Sequence, residues 1–444
     1  MPAALRVYAD PSVRRMLPLG FSSGLPYLLV FGTMSFRLRE AGIGLATIGF
    51  LNAIPWAYAL KWLWAPLVDR LPLPCLTRRL GRRRSWQLAS QCVVALGLAA
   101  MAWIDPQRSL WAFVAAAVLT AFASATQDIA TDAYRIESAP LERQAALAAA
   151  YQTGYRIAMI FAGAGALAIA AAAAGGDGGY RHDAWMVAYL VMAGAMAIGI
   201  AAVLSSPEPI TEAPSAAGGI VRNGGFAQLR AAVAGPFLDF FGRYGWLAVP
   251  ILAFVSTFRI SDIMLAAMAS PFYHDMGFTK GEVAVVSSVY GVAMFLIGAI
   301  AGGALVSRFG LRPVLIAGAA LSPASMLLYA WLATLGHDLT ALKAAVFADN
   351  LVGGAASSAF IAYLSSLTSA RFTATQYALF SSLMLMLPKS IALFSGLAVE
   401  HFGYTEYFIG AGALGLPALA LASWAARLAA TVRSPPPPDI RSSP

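Results

Sequence analysis

The sequence predicts an all-α integral membrane protein whose twelve transmembrane helices form two halves of six. Of its 444 residues, 59% are hydrophobic and 11% are charged, whereas about 25% of the residues in soluble domains are charged. Twelve apolar segments are each long enough to cross a hydrocarbon core of about 30 Å. A loop rich in Pro, Gly and Ser, "SSPEPITEAPSAAGGIVRNGG", follows the sixth segment and separates the two halves.

The apolar segments define the predicted domains. In the first half they cover residues 16–36, 45–66, 86–104, 109–134, 143–173 and 184–204. In the second half they cover residues 246–270, 283–306, 313–333, 339–366, 372–399 and 404–427. We therefore expect an N-terminal six-helix bundle at 1–205, a cytoplasmic linker at 206–245, a C-terminal six-helix bundle at 246–430 and a disordered cytoplasmic tail at 431–444. The tail is too polar and too rich in proline to pack.

Basic residues predict the orientation in the membrane. With both termini in the cytoplasm, about twenty of the thirty Lys and Arg residues lie on the cytoplasmic side and about six lie outside, as the positive-inside rule requires. The net charge of +9 is scattered between apolar runs, so it does not indicate binding to nucleic acid. The N-terminus lacks the ordered features of a cleavable signal peptide, and we expect the first apolar segment to remain as a helix. The two cysteines imply neither a disulfide framework nor a metal site.

Charged residues within the apolar segments predict a polar cavity, because each charge at the bilayer centre costs on the order of 2.5–3.5 kcal/mol. The third, sixth, ninth and twelfth segments carry no charge between their ends. We expect these four helices to face lipid and the other eight to line the cavity. The intramembrane charges are Lys61, Asp128, Asp132, Arg156, Arg259, Asp262, Asp349 and Lys389.

The fourth segment carries a polar stripe at helical spacing, formed by Ser124, Gln127, Asp128, Thr131, Asp132 and Arg135. In the fifth segment, Gln152 and Arg156 share a face beside Tyr151 and Tyr155. Arg156 has no acidic neighbour on its own segment, which favours a functional role. Two interpretations stay open elsewhere, since Arg259 and Asp262 are spaced to neutralise each other as a structural pair, and Lys61 is close enough to the cytoplasm to extend into it.

The stretch "DRLPLPCLTRRLGRRR" resembles, in a longer form, the signature that follows the second helix in the major facilitator superfamily. This resemblance implies that Asp69, Arg70, Gly81, Arg82 and Arg83 contribute to gating. In the second half, Arg308 and Gly310 occupy the matching positions, but Ser307 stands where the signature has Asp, so an aspartate gate is weakened or lost there. We add to the gating set Lys61, Asp132 and Arg135, which lie towards the cytoplasmic ends of their helices.

Longer stretches, including "LGFSSGLPYLLVFGT", "ASATQDIATDAYRIESAPLERQAALAAAYQTGYRIAM" and "DNLVGGAASSAFIAYLSSL", resemble the AmpG muropeptide permeases and the related acetyl-coenzyme A transporter group. The resemblance implies proton-driven uptake, across the bacterial inner membrane, of cell-wall fragments made of N-acetylglucosamine, anhydro-N-acetylmuramic acid and a short peptide. It also implies roles in peptidoglycan recycling and β-lactamase induction. Acetyl-coenzyme A or another large polar anion is the alternative substrate.

Residues suited to such a ligand fall into three groups. Arg156, Arg259 and Lys389 match its carboxylates, Gln127, Gln152, Asn350 and Gln376 match its hydroxyl and amide groups, and Tyr151 and Tyr155 match its sugar rings. Asp128, Asp262 and Asp349 are candidates for proton coupling, and Asp128 is the strongest because it lies deeper than Asp132. We expect no cofactor, no metal and a monomer.

A membrane enzyme or sensor is the other class of function that we considered. The four histidines, His182, His274, His337 and His401, fall in predicted outer loops far apart in the sequence. No spacing of a nucleophile and a base, or of metal ligands, is evident. No soluble output domain is evident either. A transporter is therefore favoured over an enzyme or a sensor.

Overall fold

The computed structural model describes residues 3–44, 47, 51, 54, 56–175, 180–209, 226–278, 280–370, 372–392 and 394–431. Within these residues the regular structure is helical, and no strand occurs. Residues 210–225 of the predicted linker and residues 432–444 of the predicted tail lie outside the described residues. The all-α prediction agrees with the structure.

Residue contacts divide the chain into two compact units. Unit 1 consists of Met1–Arg243 and Thr368–Ser382, and unit 2 consists of Tyr244–Leu367 and Leu383–Pro444. The first part of the predicted eleventh helix thus packs with the N-terminal half of the chain. Sequence periodicity does not predict that residues 368–382 belong to unit 1, because this grouping depends on contacts between residues far apart in the chain.

Unit 1 begins with a 3-10 helix at Ala3–Ala9. Its α-helices are α1 (Pro11–Leu29), α2 (Gly32–Glu40), α3 (Trp56–Leu60), α4 (Ala65–Arg70), α5 (Leu76–Leu80), α6 (Arg82–Trp103), α7 (Leu110–Glu137), α8 (Leu141–Ile160), α9 (Ala166–Ala174), α10 (His182–Ser205) and α11 (Phe226–Tyr244). A 3-10 turn at Lys61–Leu63 joins α3 to α4, and a π-helical turn at Phe161–Gly165 joins α8 to α9.

Unit 2 contains a second series of α-helices. They are α12 (Ala248–Thr257), α13 (Ile260–Asp275), α14 (Lys280–Val283), α15 (Gly291–Phe309), α16 (Leu311–Leu335), α17 (Leu339–Leu367), α18 (Thr373–Ala392), α19 (Ser395–Ala413) and α20 (Leu416–Thr431). A 3-10 turn at Gly245–Leu247 precedes α12, and a π-helical turn at Ala284–Tyr290 precedes α15. The unit boundary falls within α18.

Ten helical spans among the described residues, some of which join two successive helices, are long and apolar enough to cross a membrane. They are Pro11–Glu40, Arg82–Trp103, Leu110–Glu137, Leu141–Ala174, His182–Ser205, Ala234–Ala269, Val285–Phe309, Leu311–Leu335, Leu339–Leu367 and Ser395–Ala422. Each overlaps a predicted segment, although Ala234–Ala269 and Ser395–Ala422 begin about ten residues before theirs. Of the remaining two predicted segments, 45–66 is only partly described and is broken into short helices, and 372–399 corresponds to α18, which carries Pro388 and Lys389.

Small residues bring α1 and α8 into direct backbone contact. A Cβ atom added to Gly20 would overlap the backbone of Tyr151, and one added to Gly24 would overlap that of Tyr155. Gly154 on α8 is equally close to the backbone of Leu17. Glycine allows backbones to approach in this way because it lacks a side chain. This contact fixes where Tyr151 and Tyr155 stand relative to α1.

Candidate transport site

The polar stripe of α7 is buried inside unit 1, as the helical spacing predicts. The Nε2 atom of Gln127 donates to the Oγ atoms of Ser22, at 3.0 Å, and Ser23, at 3.4 Å. The hydroxyl of Tyr151 donates to Oδ1 of Asp128 at 3.5 Å. Helices α1, α7 and α8 therefore meet around Gln127 and Asp128, in a part of the chain that crosses the membrane.

One turn further along α7, Asp132 lies between two cations. Its carboxylate is 3.6 Å from Nζ of Lys61 and 3.7 Å from Nη2 of Arg135. Arg135 also donates to Oε1 of Gln144 at 3.1 Å, and its guanidinium lies 5.0 Å from the ring centroid of Tyr377. Lys61, Asp132 and Arg135, which the sequence placed in the gating set, are thus brought together. The contact of Asp128 is different, because its partner Tyr151 is neutral.

Asp69 caps the N-terminus of α18. Its carboxylate accepts hydrogen bonds from the backbone N–H groups of Ala374, at 3.1 Å, and Thr375, at 2.8 Å, and from the Thr375 hydroxyl at 2.7 Å. A carboxylate at this end of a helix satisfies free N–H groups and interacts favourably with the helix dipole. The first turn of α18 is therefore tied to the end of α4 within unit 1.

Arg83 completes this buried cluster. It donates to Asp69 at 2.9 Å and forms two contacts with Glu137 through Nε, at 3.0 and 3.1 Å. Its side chain is 1% exposed, so the charge depends on these two carboxylates for compensation. Arg82 donates to the backbone carbonyl of Asp69 at 2.7 Å. We call Asp69, Arg83, Glu137 and Thr375 the Asp69 cluster.

Gly81 allows the loop before α6 to turn. Its φ is 85°, which glycine adopts more readily than other residues. A Cβ atom there would also overlap Glu208, whose carboxylate accepts from the backbone N–H groups of Arg83 and Arg84 at 2.7 and 3.1 Å. Arg70 lies at the other end of the loop, with its guanidinium 5.5 Å from the ring centroid of Phe372. The signature residues thus form one connected region of unit 1.

Gln376 belongs to the same region and not to the ligand-facing stripe of α7 and α8. Its carbonyl accepts from Arg243, at 3.0 Å, and from the backbone N–H of Ser369, at 2.8 Å. Its amide donates to Asp239, at 2.8 Å, and to the carbonyl of Pro236, at 2.9 Å. The sequence assigned Gln376 to substrate binding, but every polar atom of this side chain already has a partner in unit 1. Gln376 therefore joins α11 to α18 in this structure, and its assignment to substrate binding stays a prediction.

In unit 2, Arg259 lies at a break between two helices, since α12 ends at Thr257 and α13 begins at Ile260. Its Nε atom is 3.3 Å from Oδ2 of Asp262, and the two side chains are 26% and 20% exposed. The pair predicted from the spacing is formed, and the guanidinium also keeps accessible surface. Broken helices at membrane depth are typical of binding sites in transporters.

Asp349 and Asn350 lie on α17 of the same unit. Oδ1 of Asp349 accepts from the Ser325 hydroxyl at 3.2 Å, and the amide of Asn350 donates to the Val346 carbonyl at 3.0 Å. Asp349 is close enough to Asp262 and Arg259 for their charges to interact. Unit 2 thus brings Arg259, Asp262 and Asp349 into one polar group, and Asn350 follows Asp349 on α17. Lys389 on α18 is exposed.

The loop of unit 2 that corresponds to the Asp69 cluster has a different structure. Gly310 has a φ of 84°, like Gly81, but Ser307, Arg308 and Gly310 are all exposed. The guanidinium of Arg308 lies 5.2 Å from the ring of the adjacent Phe309. The backbone turn is therefore repeated in unit 2 without a buried carboxylate.

Two further observations concern metals and the residues that the sequence did not single out. The described residues contain no group of three or more His, Cys, Asp or Glu side chains placed to hold a metal ion. Glu137, Glu208 and Thr375 bind predicted gating residues, and Asp239 binds Gln376, but none of the four was predicted. Each lies near the end of an apolar segment or in the predicted linker, where a polar residue is ordinary, so no signal in the sequence distinguishes them.

Comparison with known proteins identifies the family. The chain is 35% identical over 419 residues to the anhydromuropeptide permease of Escherichia coli strain K12, covering 94% of this chain and 80% of that protein. The chain belongs to the anhydromuropeptide permease family. It is also 32% identical to the putative transporter AmpG 4 of Rickettsia conorii, covering 93% of this chain and 96% of that protein. The resemblance to the AmpG permeases inferred from sequence motifs is confirmed.

Family models and solved structures agree with the assignment of this chain to a family of membrane transporters. Residues 251–443 match the Major Facilitator Superfamily model, and residues 15–131 match that of acetyl-coenzyme A transporter 1. The proton:xylose symporter XylE superposes with a TM-score of 0.64 at 15% identity, covering 94% of each chain. The transporter FucP in its outward conformation gives 0.66 at 14% identity, covering 95% and 99%. The protein is a multi-pass membrane transporter with the major facilitator fold, and not an enzyme.

Proposed function

We propose that the protein imports anhydro-muropeptides, made of N-acetylglucosamine, anhydro-N-acetylmuramic acid and a peptide, from the periplasm to the cytoplasm, driven by protons. It acts as a monomer in the bacterial inner membrane with both termini in the cytoplasm, as a step of peptidoglycan recycling that contributes to β-lactamase induction. The 35% identity to the Escherichia coli anhydromuropeptide permease carries this proposal. The buried ionisable residues of α7 and α8 give it a physical basis, because such residues are costly within a membrane and typically mark the path of a substrate or an ion.

The substrate is recognised partly through its carboxylates. Arg156 on α8 and Arg259 at the break after α12 are both partly accessible. A guanidinium binds a carboxylate through two parallel hydrogen bonds, and such bonds are strong away from water. Gln127, Gln152 and Asn350 supply donors and acceptors for sugar hydroxyl and amide groups. Lys389 remains a further candidate for a carboxylate.

Asp128 is the proposed proton carrier of unit 1, and Asp262 and Asp349 are the candidates in unit 2. Moving one proton through about 150 mV releases roughly 3.5 kcal/mol, at about 2.3 kcal/mol per 100 mV. That energy supports a substrate gradient of a few hundredfold, at about 1.4 kcal/mol per tenfold. This figure applies to a substrate without net charge, because each negative charge that enters with the proton is opposed by the same potential.

The Asp69 cluster forms the proposed cytoplasmic gate of unit 1. Moving the first turn of α18 away from α4 requires loss of the three hydrogen bonds that Ala374 and Thr375 donate to Asp69. Lys61, Arg70, Gly81, Arg82, Asp132 and Arg135 support the same region. Arg308 and Gly310 contribute a turn and a charge in unit 2, without the carboxylate.

Uptake into proteoliposomes tests the proposal. Purified protein is reconstituted and offered a labelled anhydro-muropeptide with and without an inward proton gradient. Accumulation above the outside concentration only with the gradient is the expected result. If uptake occurs to the same level without a gradient, proton coupling is wrong, and if no uptake occurs in either condition, the substrate is wrong.

Acetyl-coenzyme A is the second candidate substrate, favoured by the match of residues 15–131 to acetyl-coenzyme A transporter 1. It also carries several negative charges, for which Arg156 and Arg259 are suitable. Adding excess unlabelled acetyl-coenzyme A to the uptake assay separates the two. Muropeptide uptake that persists at a hundredfold excess excludes it as a competitor for the site.

A further inference from the structure

Two kinds of tyrosine occur in unit 1. Tyr134 and Tyr189 are almost fully buried, and their hydroxyls donate to the backbone carbonyls of Pro207 and Leu29 at 3.0 and 2.9 Å. Such contacts satisfy the hydroxyl of a buried tyrosine and are typical of tyrosines with a structural role. Tyr27, Tyr58 and Tyr155 instead keep partly accessible rings, although they lie on helices in the membrane-spanning part of the chain.

The partly accessible rings form one cluster that spans three helices. The ring of Tyr27 on α1 lies 5.6 Å from that of Tyr58 on α3 and 6.3 Å from that of Tyr155 on α8. Phe31, between α1 and α2, is 4.6 Å from Tyr27 and 6.2 Å from Tyr58. We call Tyr27, Phe31, Tyr58 and Tyr155 the aromatic cluster.

The aromatic cluster continues into the polar site. Tyr151 lies 6.1 Å from Tyr155 and donates its hydroxyl to Asp128. On α8, the large exposed apolar side chains are Ile157 and Ile160. Tyr151 and Tyr155 are one turn apart on a different face, towards Asp128. The accessible side of the cluster therefore faces the polar interior of unit 1 and not lipid, since a carboxylate would not be placed against hydrocarbon.

Two amide groups with spare hydrogen-bonding capacity lie within about one helical turn of the cluster, because Gln152 is three residues from Tyr155 on α8 and Gln127 contacts Ser23, four residues from Tyr27 on α1. Oε1 of Gln127 and Nε2 of Gln152 are buried and have no hydrogen-bond partner among the described residues. Buried polar atoms are normally paired. One acceptor and one donor beside a set of aromatic rings match the hydroxyl and acetamido groups of an N-acetylated sugar, whose C–H faces pack against aromatic rings.

The aromatic rings around the polar group of unit 2 are arranged differently. Phe258 and Phe360 are stacked with centroids 4.2 Å apart, and both are buried, as are Tyr273 and Tyr329. Phe258, next to Arg259, and its stacking partner Phe360 therefore offer no accessible ring surface to a sugar. Of the two polar groups, the one in unit 1 is therefore suited to a sugar.

We propose that Tyr27, Tyr58 and Tyr155, with Gln127 and Gln152, form a subsite in unit 1 that binds the disaccharide part of the substrate. This inference rests on the proposed function, because it assigns a position to one part of the muropeptide. Phe31 holds Tyr27 and Tyr58 in place. The rings supply the stacking surface, and the side-chain amides form hydrogen bonds with the acetamido and hydroxyl groups of the sugar.

The test measures binding of two probes to the full-length protein in nanodiscs. One probe is N-acetylglucosaminyl-anhydro-N-acetylmuramic acid without peptide, and the other is the complete muropeptide. Tyr155→Leu and Tyr27→Leu are expected to weaken binding of the disaccharide about tenfold, because each removes a stacking surface. Tyr155→Phe keeps the ring and is expected to stay within about twofold of wild type. Phe36→Leu is the matched control, since Phe36 is 54% exposed and lies outside the cluster.

Several results would overturn the subsite. These are wild-type affinity for the disaccharide in the leucine variants, or a loss in Tyr155→Phe as large as that in Tyr155→Leu. If one leucine variant does not fold, the other and Tyr58→Leu decide the question. If the wild-type protein binds the muropeptide but not the free disaccharide, the proposed subsite is wrong and the proposed function still stands. Binding of neither probe removes both.

Discussion

The contact between Asp69 and Thr375 permits a quantitative test of the proposed gate. Oδ2 of Asp69 accepts both the backbone N–H and the hydroxyl of Thr375, at 2.8 and 2.7 Å. Thr375→Val removes the hydroxyl and leaves the N–H and the side-chain shape. A hydrogen bond to a charged group contributes about 1.5–3 kcal/mol. Because the carboxylate keeps Arg83 and two N–H donors, we expect the lower end, about 1.5 kcal/mol, which is roughly a tenfold change in equilibrium.

Amide hydrogen exchange measures this change directly. The N–H groups of Ala374 and Thr375 are protected by Asp69, so each opening of the contact exposes them to exchange. We expect Thr375→Val to reduce protection of residues 374 and 375 about tenfold and Thr375→Ser to restore it. Thr373→Val is the matched control, because the Thr373 hydroxyl donates to the carbonyls of Ser369 and Ala370 and not to Asp69. Equal protection in Thr375→Val and Thr373→Val would show that the hydroxyl does not hold the contact closed.

Three other predictions concern the site and its surroundings. Asp128→Asn should abolish accumulation driven by a proton gradient while allowing exchange of labelled for unlabelled substrate, since Asn still accepts from Tyr151; full gradient-driven uptake would refute the assignment. Arg156→Gln should lower uptake by about 10- to 100-fold, the effect of losing one or two charge-assisted hydrogen bonds, with the protein still inserted and monodisperse; unchanged uptake would remove Arg156 from the site. The hydrogen bond from Ser12 and the nearby charge of Arg143 hold the pKa of Asp10 below its usual value. The stability that Asp10 contributes should therefore be complete above pH about 3.9 and lost as the pH falls below that value, which thermal unfolding of wild type and Asp10→Asn at pH 6 and pH 3 would detect.

Sequence reasoning was most successful where a helix supplies its own geometry. The spacing of Gln127, Asp128 and Asp132 places them on one face because α-helical residues three and four apart are neighbours. The pairing of Arg259 with Asp262 follows from the same rule. Both predictions needed only residues within one turn, so no knowledge of the tertiary structure was required.

Contacts between segments that are far apart in the chain could not be predicted from the sequence. Asp69 and Thr375 are 306 residues apart, and a threonine near the start of an apolar segment has many ordinary uses. Gln376 shows the same difficulty, because a glutamine in an apolar helix fits a ligand or a buried partner equally well. The helix break at Arg259 has no Pro or Gly beside it, so the sequence does not predict it. In each case the deciding fact is which chain segment packs opposite, and local periodicity does not contain that information.

The two aspartates of α7, Asp128 and Asp132, have different neighbours, so neutralising each carboxylate has a different consequence. Asp132 lies between Lys61 and Arg135, so neutralising it would leave two poorly exposed cations without this counter-ion, at a high energetic cost. Asp128 contacts the Tyr151 hydroxyl, which donates to a carboxylate and can equally accept from a carboxylic acid. Asp128 can therefore gain a proton and keep its hydrogen bond. A carboxyl that must be loaded and unloaded in every transport cycle requires this property, and we therefore propose Asp128 as the proton carrier and Asp132 as the counter-ion of the two cations.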